Sequence, residues 1–171
     1  MKRLLLLILA SLIVLSACSP KKTYLSPLEL EEEKEQVKKV IEDYHRASED
    51  KNFGKVVETL ADEVIFFGTD SSEVIKTFAD FKKAIEKQWQ DYDKIDYGEL
   101  RDVSIQMDEG ATLATIIYGV NSDFIRGEET YNYYLRIARI LKKKNNKWLI
   151  VSGIVGIVRP DAPYQQNGSV E

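Results

Sequence analysis

The chain has 171 residues, with 24 Lys and Arg against 28 Asp and Glu, a formal net charge of −4, one His and one Cys. Nucleic-acid affinity comes mostly from neutralising phosphates with basic side chains, so this acidic balance argues against a nucleic-acid partner. Zinc is held by several Cys and His side chains and a lone Cys forms no disulfide within its own chain, so neither a metal nor a cofactor is implied and stability has to come from packing.

Lys2 and Arg3 precede the uncharged apolar run Leu4 to Val14, which closes on Leu15-Ser16-Ala17-Cys18. That order of basic, apolar and small residues is the order of an export signal. The apolar segment is shorter than the ~20 residues that span a hydrocarbon core, which argues against a transmembrane helix. Leu15 to Cys18 resembles the cleavage box of bacterial lipoproteins, and the resemblance implies removal of residues 1–17 and acylation of Cys18 by diacylglycerol and palmitate. An ordinary secretory signal is the alternative. Buried acyl methylenes contribute about 0.8 kcal/mol each, so two or three chains make a lasting membrane anchor. Loss of Lys2 and Arg3 moves the net charge from −4 to −6. The expected location is the cell envelope. In a host with two membranes it is the periplasmic side of the outer membrane, because serine and not aspartate follows Cys18; otherwise it is the outer face of the cell membrane.

Residues 18–34 are expected to be a tether merging into the first helix, residues 35–159 one domain, and residues 160–171 a polar tail. Ser26-Pro27-Leu28-Glu29 has the form of a capping box with proline at the first helical position. Leu30, Val37, Val40, Ile41, Tyr44 and Ala47 then recur at helical spacing through about Asp50, while the acidic run Glu29 to Glu35 reads as a solvated face. Asn52 caps a short second helix with Phe53, Val56, Val57 and Leu60 on one side. Val64-Ile65-Phe66-Phe67, ending at Gly68, reads as a strand buried on both faces, and Val74 to Lys76 as a second strand. Thr77 and Asp80 open a third helix whose apolar side is Phe78, Phe81, Ile85, Trp89 and Tyr92.

Beyond Ile95 the pattern is that of an antiparallel meander of four strands. These are Tyr97 to Met107, a turn at Asp108-Glu109-Gly110 with Gly110 left-handed, Ala111 to Val120, a longer loop through Asp123, Phe124 and Gly127, Thr130 to Lys142, a turn over Lys143 to Asn146, and Lys147 to Arg159. Three helices with two short strands among them, followed by a curved sheet, make an α+β architecture.

This order of elements, the stretch Val64-Ile65-Phe66-Phe67-Gly68-Thr69-Asp70 and the Trp148-Leu149-Ile150-Val151 of the last strand resemble the SnoaL-like branch of the nuclear transport factor 2-like superfamily over roughly Val37 to Val158. The resemblance implies a cone-shaped fold with a ligand cavity. Where members are enzymes, it implies a carboxylate or His base and Tyr or Asp donors inside the cone. Tyr44, Phe67, Trp89, Tyr118 and Arg136 are the expected pocket residues, with Asp43, His45 and Asp70 as weaker candidates. Arg136 is expected to pair with a buried carboxylate or to meet an anionic group. Several relatives carry cavity-facing histidines a few residues past the last-strand tryptophan. Here Ser152 and Ile154 occupy those places, which argues for a non-catalytic, lipid-anchored domain binding a small apolar or amphipathic ligand or a protein. An isomerase or lyase of cyclase or dehydratase type, using a buried carboxylate or His, is the alternative. Tyr131, Tyr133 and Tyr134 suggest sheet packing or a homodimer face. Lys142, Lys143, Lys144 and Lys147 read as a solvated turn, with contact to anionic headgroups as the other reading.

Overall fold

The computed structural model describes residues 24–158. The expected signal segment, Cys18 and the expected tail beyond Val158 lie outside the described residues. Helix α1 (Pro27–Glu49) starts in the capping box read from sequence: the Ser26 hydroxyl accepts from the Glu29 amide, and the Glu29 carboxylate accepts from the Ser26 amide. Helix α2 (Phe53–Glu58) is capped by the Asn52 side chain, and helix α3 (Phe78–Asp91) by the Thr77 hydroxyl.

Seven strands make one sheet: β1 (Leu60–Phe67), β2 (Val74–Ile75), β3 (Lys94–Tyr97), β4 (Arg101–Met107), β5 (Leu113–Arg126), β6 (Glu129–Lys144) and β7 (Lys147–Val158). The order is β2-β1-β7-β6-β5-β3, with β4 also on β5. The only parallel pair among them, β1 with β7, joins the first strand to the last. The inner face of the sheet packs on α1 and α3, where Val37, Ile41, Val56, Phe81, Ile85, Ile116, Leu141 and Ile150 form the core.

The structure corrects several expectations. β1 is not buried on both faces: Val64 and Phe66 point inward while Ile65 and Phe67 are about half exposed, so the apolar run covers two different environments. The first meander strand is two strands, broken at Gly98–Leu100, and both pair with β5. The loop expected after Val120 is strand instead. β5 runs on to Arg126 and reverses at Gly127, whose φ of +57° is the left-handed conformation that glycine adopts without steric cost. At the β4–β5 turn the positive φ belongs to Ala111 and not to Gly110. Asn145 and Asn146, both at positive φ, make the two-residue turn between β6 and β7.

The acidic run is only partly a solvated face. Glu33 is largely buried: it accepts from the Lys143 ammonium at 2.5 Å and from the Trp148 indole N–H at 2.7 Å, clamping α1 to the β6–β7 hairpin. Lys144 pairs with Asp62, so two of the four hairpin lysines already have carboxylate partners.

Candidate functional site

Helix α1 supplies the centre of the site. Ile41, His45 and Ser48 lie on its buried side with Val37, so the buried stripe is wide enough to carry Tyr44 and His45 inward together. Asp43, by contrast, faces Lys39 and Arg46 near solvent. His45 is 5 % exposed, and its Nε2 lies 3.0 Å from the Tyr118 hydroxyl of β5 in a shared hydrogen bond whose donor is set by the imidazole tautomer. Tyr97 of β3 stacks on the imidazole, ring centroids 4.3 Å apart. Its backbone amide donates to the Glu49 carboxylate, which fixes the end of β3 to the end of α1.

The strand pleat supplies the rest. In β6, Leu135, Ile137, Arg139 and Leu141 are the buried alternate positions. Tyr118 stands opposite Ile137, which makes Arg139 its diagonal neighbour on the inner face. Arg139 is 6 % exposed, and its guanidinium carbon lies 4.9 Å from the Phe66 ring centroid and 5.8 Å from that of Tyr44. It lies over Gly153 of β7, where a Cβ would stand 2.4 Å from Nη1 and 2.5 Å from Cδ, so glycine is required for the arginine to lie flat.

Burial and the nearby Arg139 charge push the His45 pKa from the ordinary 6.5 down to about 3. Burial also raises the Tyr44, Tyr97 and Tyr118 hydroxyls above their ordinary value. At neutral pH all four are uncharged, and Arg139 is the one formal charge among them. A groove of about 550 Å³ between α1 and the β3–β4 break, lined by Lys38, Glu42, His45, Glu49, Tyr97 and Leu100, leads from solvent to the imidazole.

Of the pocket residues expected from sequence, Tyr44 and Tyr118 belong to this cluster. Trp89 lies at the edge of the core on α3, and its carbonyl, like that of Tyr92, accepts from the Lys51 ammonium. Phe67 is 46 % exposed on the outer face. Arg136 is also on the outer face, and the expected internal ion pair is absent among the described residues; the inward arginine is Arg139. Asp70 is exposed in a loop, hydrogen-bonded to Ser72, which lowers its pKa. Ser152 and Ile154 do not face the interior. The β6–β7 register shifts between Ile140 and Leu141, and that irregularity moves β7 side chains past Ile150 to the opposite faces, so Gly153 turns inward and Ile154 outward. Tyr131 and Tyr133 pack inward with Phe124 and Tyr92. His45 and Arg139 were undervalued or missed, although the strand parity of Leu135, Ile137 and Leu141 marks Arg139 as inward.

Residues 37–155 match the family model described as the SnoaL-like domain, and the chain belongs to that family. A comparison with curated protein sequences gives no match. Among solved structures, a proposed dehydratase of the NTF2-like family from Streptomyces avermitilis superposes with a TM-score of 0.67 at 12% identity, covering 75% of this chain and 99% of that one. The hexachlorocyclohexane dehydrochlorinase LinA-type3 from Novosphingobium barchaimii LL02 gives 0.68 at 9% identity, covering 78% and 92%. A proposed calcium/calmodulin-dependent kinase II association domain from Xanthomonas campestris gives 0.63 at 16% identity, covering 74% and 87%. At such identities the likeness is one of fold, an NTF2-like α+β cone.

Proposed function

We propose that this chain is a lipid-anchored protein of the cell envelope whose SnoaL-like cone binds a small organic molecule, entering between α1 and the β3–β4 break. The observation that carries the binding reading is the buried His45–Tyr118 pair, whose imidazole is reached from solvent by a groove flanked by Tyr97 and by the charged side chains Lys38, Glu42 and Glu49. A concave opening with a few convergent polar groups at its floor is a usual make-up of a small-molecule site. Of the apolar and amphipathic ligands expected from sequence, the cluster favours the amphipathic. Native mass spectrometry of the protein extracted from its own envelope should show a bound small molecule that is lost from the His45→Asn, Tyr118→Phe double variant. A chain free of ligand in both forms would reject the reading. Anchorage at Cys18 predicts incorporation of labelled palmitate that Cys18→Ser abolishes; equal labelling of both would remove the anchor.

The 3.0 Å contact also favours a second reading, proton transfer of lyase or isomerase type, as the names of the dehydratase and dehydrochlorinase neighbours suggest. In it, neutral His45 takes a proton from a ligand C–H at Nε2 while Tyr118 turns its hydroxyl to the oxygen on which charge develops. Exchange of ligand C–H for deuterium in heavy water, lost in His45→Asn, would establish it. A ligand that binds and leaves unexchanged and unchanged would restrict the cone to binding.

A homodimer through the outer sheet face is also proposed. Phe67, Ile154, Ala138 and Ile117 are successive cross-strand partners on β1, β7, β6 and β5, with Ile65 and Ile140 alongside. Ile117 and Ile154 are 53% and 54% exposed, and this aliphatic band replaces the tyrosine face expected from sequence. Sedimentation should show a dimer that Ile117→Lys with Ile154→Lys converts to monomer. Wild-type monomer at high concentration would overturn it.

A further inference from the structure

Moving a guanidinium out of water is costly unless its charge is matched, so buried arginines almost always lie against a carboxylate. Arg139 has none. No Asp or Glu lies within ion-pair distance of it among the described residues, and its Nη1 is buried without a hydrogen-bond partner. The faces of Phe66 and Tyr44 and the neighbouring Tyr118 hydroxyl compensate part of the charge, but none of them is an anion. Gly153, which the close Ala138 carbonyl oxygen also requires, leaves the notch in which this side chain lies. A residue retained only to fill space would be aliphatic, as Leu135, Ile137 and Leu141 on the same face are.

We propose that the ligand of the cone carries a carboxylate and that Arg139 receives it, an inference that rests on the binding reading above. The planar fork of a guanidinium matches the two oxygens of a carboxylate, and in a water-poor interior such a charge-assisted pair is strong and directional. The uncharged body of the ligand lies in the groove beside Tyr97 and Leu100, at the His45 mouth. Occupation of the site cancels the positive charge that helps hold His45 neutral, so the same anion makes the imidazole a better proton acceptor.

The single His of the chain gives one imidazole NMR signal, which reports on the site without ambiguity. The full chain in detergent, labelled at histidine, is titrated with acetate, benzoate and octanoate, each against its neutral amide. The expected result is that at least one acid shifts the His45 signal saturably at a concentration at least tenfold below its amide. Arg139→Leu should abolish that preference, Arg139→Lys should keep part of it, and Arg139→Leu should melt no lower than the wild type because a buried unpaired charge has been removed. Acid and amide binding alike, or a preference that survives Arg139→Leu, would overturn the assignment to Arg139 and leave the binding reading standing. If no acid and no amide shifts the signal, the binding reading falls and the carboxylate inference with it. Should Arg139→Leu not fold, Arg139→Lys and Arg139→Gln decide by the same preference.

Discussion

His45 makes the acid limb of the stability curve a direct readout of the site. Its folded-state pKa is lowered to about 3, whereas in the unfolded chain it titrates near 6.5. Above pH 6.5 both states hold it neutral and it contributes no slope. Below that, the unfolded chain binds a proton that the folded one refuses, so stability is lost as pH falls, by about 1.4 kcal/mol per pH unit once the unfolded form is protonated. Urea unfolding between pH 6.5 and 4.5 should show this slope in the wild type and a flatter one in His45→Asn, whose amide still meets Tyr118. Equal slopes would mean that the imidazole is wet or already charged. At this scale the sequence was half legible. The spacing Val37, Ile41, Tyr44 announces the inward side of α1, but a stripe wide enough to take in His45 as well depends on Tyr97 and Tyr118 arriving from β3 and β5 to enclose it.

Elements whose ends carry their own chemistry were the readable ones: Ser26, Asn52 and Thr77 each cap the helix that the sequence assigns to them, since those bonds span three residues. Where register is decided by a partner strand, local pattern fell short. The shift opposite Ile140 and Leu141 inverts the outer half of β7, and nothing in Ser152-Gly153-Ile154 alone reveals it. The Glu33 clamp was hidden for a similar reason, because its partners Lys143 and Trp148 are distant in the chain. Glu33→Ala leaves a partly buried ammonium and an indole N–H without their acceptor, so denaturant melts should show a loss of ~2–3 kcal/mol. Glu32→Ala, on an exposed neighbour, should lie within about 0.5 kcal/mol of wild type. A similar loss for both would make the clamp no stronger than a surface pair.

For the molecule as a whole, the α+β class and the succession of helices before the main sheet follow from periodicity, whereas the path of the sheet does not. The neighbour relation of β1 and β7, set by Leu60 with Ile150 and Phe67 with Ile154, is a property of closure and not of any segment. That relation has a kinetic consequence. The first strand has its long-range partner only when the last has been made, so the cone cannot assemble progressively from its N-terminus. Loop-closure entropy for almost the whole domain has to be overcome before Val64 and Phe66 meet the inner face of β7. A chain ending after Asn146 should therefore remain protease-sensitive throughout, with its α1–α2 hairpin unprotected in hydrogen exchange, and should acquire protection only on addition of the missing strand. A newly made copy thus stays an open, aggregation-prone polypeptide until the dozen residues of its last strand are in place, and any chaperone that attends it has to hold it that long.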